Sequence, residues 1–252
     1  METITRTTCR VCGSPDLHDV FSLGEQYIND FVPPEKVGEG LKAPLDLVMC
    51  GKCTLLQLRH TAPQELLYSR HYWYRSGVTD TMRKALRDIT REIEEHVPLH
   101  AGDVVLDIGA NDGTLLATYA VEGLRRVGCE PADNLVDALR QTTSYVMHDF
   151  WNYERYMELA ASWGFGKAKV VTAIGMFYDL ENPNKFIRDI QRALADDGVF
   201  VAQLMCLGPM IEKNDLGNIC HEHLEYYSLE SLKYLFETNG LEMFRIEENE
   251  QG

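Results

Sequence analysis

The sequence predicts an α/β chain: a largely parallel sheet with helices on both faces, preceded by a small metal-binding module. Three observations carry that expectation. From Gly102 onward short apolar runs alternate with helical ones, a helix of clear three- and four-residue periodicity precedes them, and two close cysteine pairs stand in a turn-rich segment before that.

At 252 residues, 45% apolar and 25% charged, the chain is long enough for one large core or a core plus a module. That composition excludes a disordered or fibrous protein. Its 24 Lys and Arg against 39 Asp and Glu give a net charge of −15, which repels nucleic-acid backbones and anionic membranes unless a basic patch is segregated. The one dense cationic run, 83–91, contains Asp88, is followed by Glu92, and reads as one side of a helix. No apolar stretch nears the roughly 18 residues of a membrane span, and residues 1–8 lack the hydrophobic region of a secretory signal. The expected compartment is the cytoplasm. There the seven cysteines stay reduced, and close pairs imply metal or redox chemistry.

Residues 1–60 are the expected zinc-binding module. Turn residues crowd it, at Gly13-Ser14-Pro15, Pro33-Pro34, Gly38, Gly40 and Pro44, and its short apolar runs bury little by themselves. Residues 61–98 are expected as a helical connector. Met82, Leu86, Ile89, Ile93 and Val97 share one face, Asp80 caps the first turn, and the aromatic stretch Tyr72-Trp73-Tyr74-Arg75-Ser76-Gly77 precedes them. Residues 99–252 carry the sheet, with strands expected over 104–108, 126–129, 145–148, 170–174 and 199–204. Leu241 to Ile246 reads as a further strand.

The strongest chemical signal is Cys9-Arg10-Val11-Cys12 with Cys50-Gly51-Lys52-Cys53. Two tight turns, each presenting two thiolates, satisfy a tetrahedral zinc in a closed structural site, and the metal supplies the stability that the polar segment lacks. A thioredoxin-like role needs a strand-to-helix setting that neither pair has. His18 is a competing ligand by residue type. Cys129 and Cys206 read as buried small hydrophobes.

The second signal is Val104-Val-Leu-Asp-Ile-Gly-Ala-Asn-Asp-Gly113. Gly109 and Gly113 let the backbone after a strand pass close to a ligand. Asn111 stands where a dinucleotide fingerprint has its second glycine, which weakens a pyrophosphate cradle. Asp107, read as lying inside the turn, repels a diphosphate and welcomes a cationic amino-acid moiety. Glu130 ends the second strand, where a carboxylate accepts both hydroxyls of a ribose. Asp149 and Phe150 follow the third strand, where they suit an adenine's amino group and face.

This loop and Glu130 resemble the S-adenosylmethionine site of the class I methyltransferases. With the two cysteine pairs, Tyr74-Arg75-Ser76-Gly77 and His221-Glu222-His223, nearly the whole chain resembles the zinc-containing sugar C-methyltransferase family of deoxysugar biosynthesis. The resemblance implies a Rossmann-like class I methyltransferase domain behind the zinc module. S-adenosylmethionine is then the cofactor, with Arg75 and Ser76 beside it, and a nucleotide-linked keto sugar or other small molecule is the substrate. It further implies an additional C-terminal domain and a closing antiparallel hairpin that this sequence lacks, so the chain is expected to be truncated.

Carbon methylation beside a ketone needs a base for the carbon-bound proton and a donor near the developing enolate oxygen. Histidine suits the base. His221 and His223 both qualify by residue type, and in an extended segment they share one face with Glu222 on the other. The resemblance favours His223 as base, Glu222 as orienting group and Tyr74 near the sulfonium, although Cys220 stands where the better-known sugar enzymes carry a tyrosine. Tyr226 and Tyr227 are expected to pack ahead of a helix capped by Ser228. Two other readings fit the same motifs: methylation of an oxygen, and a non-catalytic zinc-ribbon scaffold, whose nucleic-acid-binding version the charge of −15 disfavours.

Overall fold

The computed structural model describes residues 3–28, 33–63, 67–68 and 72–249. In chain order the strands are β1 (Ile4–Thr5), β2 (Leu17–Tyr27), β3 (Lys42–Cys50), β4 (Leu56–Leu58), β5 (His60–Thr61), β6 (Val104–Ile108), β7 (Arg125–Cys129), β8 (Tyr145–Met147), β9 (Ala168–Ile174), β10 (Leu194–Gln203) and β11 (Glu225–Tyr226). The helices are α1 (Asp80–His96), α2 (Thr114–Thr118), α3 (Asp133–Thr142), α4 (Tyr153–Ser162), α5 (Pro183–Ala193), α6 (Leu207–Lys213) and α7 (Leu229–Thr238).

These elements group into two compact units, each assembled from separate stretches. The first comprises Met1–Leu67, Met176–Ile187 and Leu204–Gly252, and the second Tyr68–Gly175 and Arg188–Gln203. By contacts, residues 176–187 and those after 203 group with the metal-binding module.

The first unit is built on an antiparallel sheet of order β11-β4-β3-β2. A long hairpin joins β2 to β3, from Leu17 opposite Cys50 to Tyr27 opposite Lys42. β2 is the edge strand and is exposed along nearly all its length, whereas β3 turns Ala43, Leu45 and Leu47 inward. Those side chains alone make no core. Leu45 and Leu47 pack with Leu56 and Leu58 against Leu207, Met210, Leu224 and Tyr226, so half of the module's apolar interior comes from the far end of the sequence. β11 seals the arrangement by pairing Glu225 with Gln57 and Tyr226 with Leu56. As expected, Ser228 caps α7, its Oγ accepting from the Ser231 N–H at 3.1 Å, and Tyr226 and Tyr227 are fully buried before it.

The second unit holds a parallel five-stranded sheet of order β10-β9-β6-β7-β8. Each strand expected from the alternation is present. The fully buried pattern of β6 is what a central parallel strand covered on both faces requires. Leu86 and Ile93 of α1 pack on Val105, Leu115, Leu116, Leu139 and Val170, and each such aliphatic side chain contributes about 1.5–3 kcal/mol. The cap of α1 is Thr79, whose Oγ1 accepts from the Met82 N–H at 3.2 Å, one residue before the expected Asp80.

Leu241 to Ile246 is a correction: it forms no strand, and Phe244 and Ile246 are exposed. Alternating residues hold a strand only when a neighbour completes the hydrogen-bond ladder, and none of the described strands pairs with this segment. Among the described residues no helix is long and apolar enough to cross a membrane.

Candidate functional site

In the first unit, two turns bring Cys9, Cys12, Cys50 and Cys53 together with their Sγ atoms all within 4.8 Å of one another. The Cys9–Cys53 and Cys12–Cys50 sulfurs are each 3.5 Å apart, close to the ~3.8 Å edge of a tetrahedron built on zinc–sulfur bonds of about 2.3 Å. Gly13 and Thr54, which follow the two pairs, take left-handed conformations that turn the chain away from the sulfurs. Thr54 is β-branched, and its Oγ1 is anchored by the Ser228 Oγ at 2.6 Å. Four soft donors at tetrahedral spacing fit a structural zinc. His18 stands apart from it, exposed and facing Asp16 at 3.0 Å.

In the second unit, the strand order reverses between β6 and β9, the point at which open α/β sheets bind ligands beyond their carboxyl ends. The loop from Gly109 to Gly113 lies there, with Glu130 following β7 and Asp149 and Phe150 following β8. Every backbone N–H of that loop is donated within the protein. Gly109 and Ala110 bond the Cys129 carbonyl, Asn111 the Glu130 carboxylate, Asp112 the Asn111 side chain and Gly113 the Ala110 carbonyl. A pyrophosphate would find no free donor, as the departure at Asn111 led one to expect.

Glu130 is buried, and its two oxygens accept from the N–H groups of Asn111 and Ala132, both at 2.8 Å. Burial raises its pKa, and the two N–H groups oppose that rise. The bonds fix the carboxylate while each oxygen keeps a second lone pair, which suits a pair of ribose hydroxyls. Replacing Glu130 with alanine is expected to weaken S-adenosylmethionine binding by about 1.5–3 kcal/mol, measured by calorimetry. Unchanged affinity would remove the ribose assignment. Asp149 and Phe150 are exposed, with Asp149 Oδ1 accepting from the Phe150 N–H at 2.8 Å.

Asp107 is not in the turn. It is the fourth residue of β6, buried, and its Oδ1 accepts from the Thr172 hydroxyl at 2.6 Å. Burial pushes its pKa up to about 7 against the Thr172 bond, and the nearby Glu130 adds to the rise. The folded state therefore holds this proton more tightly than the unfolded chain. The associated stability is complete below pH 3.8 and is lost as pH rises through about 7, an effect of about 4 kcal/mol. Asp107→Asn should remove most of this loss between pH 4 and 8 in chemical denaturation. A wild-type and variant pair with parallel pH dependence would contradict it.

Asn111, with Asp112 and Asn134, two residues not singled out by sequence, fastens the aromatic stretch to this loop. Asn111 adopts a left-handed conformation, φ 52°, that asparagine tolerates. Its Oδ1 accepts from the Ser76 N–H and its Nδ2 donates to the Tyr74 carbonyl, both at 3.0 Å. Asp112 accepts from the Gly77 N–H at 2.9 Å, and Asn134 exchanges two bonds with the backbone of Tyr72 at 2.9 and 3.0 Å. Arg75 donates to the Asn134 carbonyl at 3.2 Å. A Cβ on Gly77 would fall 2.6 Å from the Thr114 hydroxyl and 2.8 Å from Asp112 Oδ2, so any other residue would force those side chains to shift. Tyr74, Arg75 and Ser76 are thus held at the loop by their backbones, with the Tyr74 ring half-exposed. Burial, then the Asp112 charge, raises the Tyr74 pKa. Asn and Asp side chains that bond backbone two loops away leave no local spacing to read, although Asn111-Asp112 after a strand was a signal for a turn.

The histidine cluster belongs to the first unit. It is a turn, with the His223 N–H bonded to the Cys220 carbonyl, and so His221 and His223 do not share a face as an extended segment would have them. His221 is 3% exposed and its Nε2 lies 3.0 Å from the Ala43 carbonyl, a structural placement. His223 Nδ1 lies 2.7 Å from the Asn218 carbonyl. A carbonyl only accepts, so Nδ1 carries the proton and Nε2 is left as the basic nitrogen. Burial lowers the His223 pKa against that bond and the Glu222 charge, favouring the neutral ring. The Tyr178 ring meets it edge-on, centroids 4.7 Å apart. Burial and Glu222 push the Cys220 thiol up to about 12, so it stays protonated. Cys129 is buried as expected, while Cys206 is only half-buried.

A family profile described as a methyltransferase domain matches residues 79–246, and one described as a zinc binding domain matches residues 9–68. C-methyltransferase NovU of Streptomyces niveus is 30% identical over 240 residues, which is 94% of this chain and 56% of that protein. The chain thus spans little more than half of that relative's length. The cyclopropane synthase MmaA2 of Mycobacterium tuberculosis shares the fold at a TM-score of 0.50, with 15% identity, over 73% of this chain and 69% of that one.

Proposed function

We propose, since this chain belongs to the class I methyltransferase-domain family and carries a zinc-binding module, that it methylates a carbon beside a ketone on a nucleotide-linked sugar. When bound at the Gly109–Gly113 loop, S-adenosylmethionine supplies the electrophilic methyl group. The observation that carries the base is His223: a ring whose Nδ1–H is committed to Asn218 and whose pKa, lowered by burial, favours an unprotonated Nε2. Such a base takes a proton from carbon or from a hydroxyl, and the choice of carbon rests on the similarity to a C-methyltransferase. His223 would take the carbon-bound proton on Nε2, and the carbon–hydrogen pair would move into an enolate whose carbon accepts the methyl group that the bound cofactor would supply. Glu222 orients the acceptor or the ring. The similarity to a C-methyltransferase over 94% of this chain supports the same reading.

Calorimetric binding of S-adenosylmethionine, followed by mass analysis of methyl transfer to a panel of nucleotide-linked keto sugars in deuterated water, tests this. The expected product carries its methyl on carbon, and the same carbon exchanges its proton with solvent. A methyl found on oxygen would overturn the carbon assignment, and binding of NADH in place of S-adenosylmethionine would overturn the transfer itself.

A further inference from the structure

Next to the zinc ligand Cys9, the Arg10 guanidinium is fully buried, an expensive placement for a charge unless its donors are used. Nη1 donates to the Leu58 carbonyl at 2.5 Å and to Gln57 Oε1 at 3.1 Å, Nη2 to the Thr61 hydroxyl at 2.6 Å, and Nε to Glu181 Oε2 at 3.3 Å. Nε also lies 3.9 Å from Oε1 of Glu225, a carboxylate with no exposure. The Thr61 hydroxyl in turn donates a hydrogen bond to Glu181, which Arg6 pairs from the other side at 2.8 Å.

Glu225 continues this network toward the histidine turn. Its Oε2 accepts from the Leu180 N–H at 3.2 Å, and the Tyr178 carbonyl accepts from both Leu224 and Glu225, at 2.8 and 3.0 Å. The same Tyr178 presents its ring edge to His223. Asn184 fastens the chain just beyond by donating to the Arg10 and Val11 carbonyls, both at 2.8 Å. All of these residues lie in the first unit.

We infer that Arg10 is a positioning residue: from the zinc turn, through Glu225 and the 178–180 segment, it sets the conformation of the turn that carries His223. The inference rests on the reading of His223 as the base. It gives the zinc module a task in the reaction beyond its own folding, because the turn that holds the metal also holds the buried charge on which Glu225 depends. Burial already pushes the Glu225 pKa well up and Arg10 opposes that rise, so removing the Arg10 charge and its donors leaves Glu225 protonated and held by the Leu180 N–H alone, and the 178–180 segment and the His223 turn relax toward water.

The test uses the zinc-loaded chain with ¹³C-labelled histidine, following each imidazole by NMR across pH. In Arg10→Met, zinc content and S-adenosylmethionine affinity should remain within twofold of wild type. The His223 titration midpoint should move up by roughly one pH unit, toward the ordinary imidazole value of about 6.5. His100, in the other unit, serves as the unmoved control. The double variant Arg10→Met/Glu225→Gln should recover most of the shift, since a neutral amide in place of Glu225 has no need of the Arg10 charge. A His223 midpoint unchanged in Arg10→Met with zinc bound would overturn the inference. Should that variant fail to fold, Arg10→Lys decides. Lysine keeps the charge but not the fork that spans Thr61, Leu58 and Glu225, so an unchanged midpoint there would be equally fatal. If His223→Asn leaves methyl transfer intact, the base assignment fails while these NMR midpoints still judge the positioning role.

Discussion

Replacing Cys50 with serine is expected to leave less than half an equivalent of zinc in the purified chain and to unfold the first unit. The module's interior is small and borrowed: Leu45, Leu47, Leu56 and Leu58 form a core only with side chains from 207–226. Structural zinc in comparable cysteine sites contributes an apparent 10–16 kcal/mol or so at neutral pH, against a total stability of about 5–15 kcal/mol for a typical domain. A serine oxygen is a poor replacement for a soft thiolate, so the remaining three ligands hold the metal weakly. Elemental analysis and near-ultraviolet circular dichroism check the result together. Full zinc occupancy, or a wild-type spectrum after the metal is lost, would contradict a four-cysteine structural site.

His223→Asn is expected to lower methyl transfer by about 10²- to 10⁴-fold, the usual scale of general acid–base catalysis, while S-adenosylmethionine binds as before. Asparagine keeps a donor that reaches the Asn218 carbonyl and lacks any nitrogen able to take a proton, so the variant isolates the proton transfer. Because burial holds the His223 pKa below its ordinary value, the wild-type rate should rise with pH through a midpoint below about 6.5 and be flat at neutrality. His221→Asn should act differently. It removes the bond of a buried ring to the Ala43 carbonyl, so its cost falls on stability. Exchange of the acceptor's carbon-bound proton that persists in His223→Asn and vanishes in His221→Asn would reverse the two roles.

The elements that were legible in the sequence are those whose cause is local. The strands from Val104 to Gln203 show as apolar runs because a parallel strand covered on both faces has no polar side to interrupt it. The periodic face of α1 is legible for the same reason, since one side of a helix must be apolar to dock. The four cysteines are legible because tetrahedral thiolate coordination fixes both residue type and spacing within each turn. Asp107 was misjudged because the carboxylate before a glycine turn reads as part of that turn, whereas the ladder to β7 and β9 extends through it and buries it.

By itself, then, the sequence determined the parallel sheet, the four clustered cysteines, the position of the glycine loop after β6 and the presence of a candidate base. Tertiary structure alone decided how those parts divide between two units, and that His221 is buried against the Ala43 carbonyl while His223 is held through Nδ1 at the Asn218 carbonyl. Chain order cannot show that β11 completes the sheet begun by β2 and β3, because strand pairing across so long a loop is set by the burial gained at the end and not by any local preference. Nor can it show that Arg10 is buried among Gln57, Thr61, Glu181 and Glu225, or that Asn111 and Asn134 clasp the backbone of the Tyr74 stretch. A buried polar group is satisfied by whatever partner the fold brings within hydrogen-bond distance, and that partner need not be near it in the sequence.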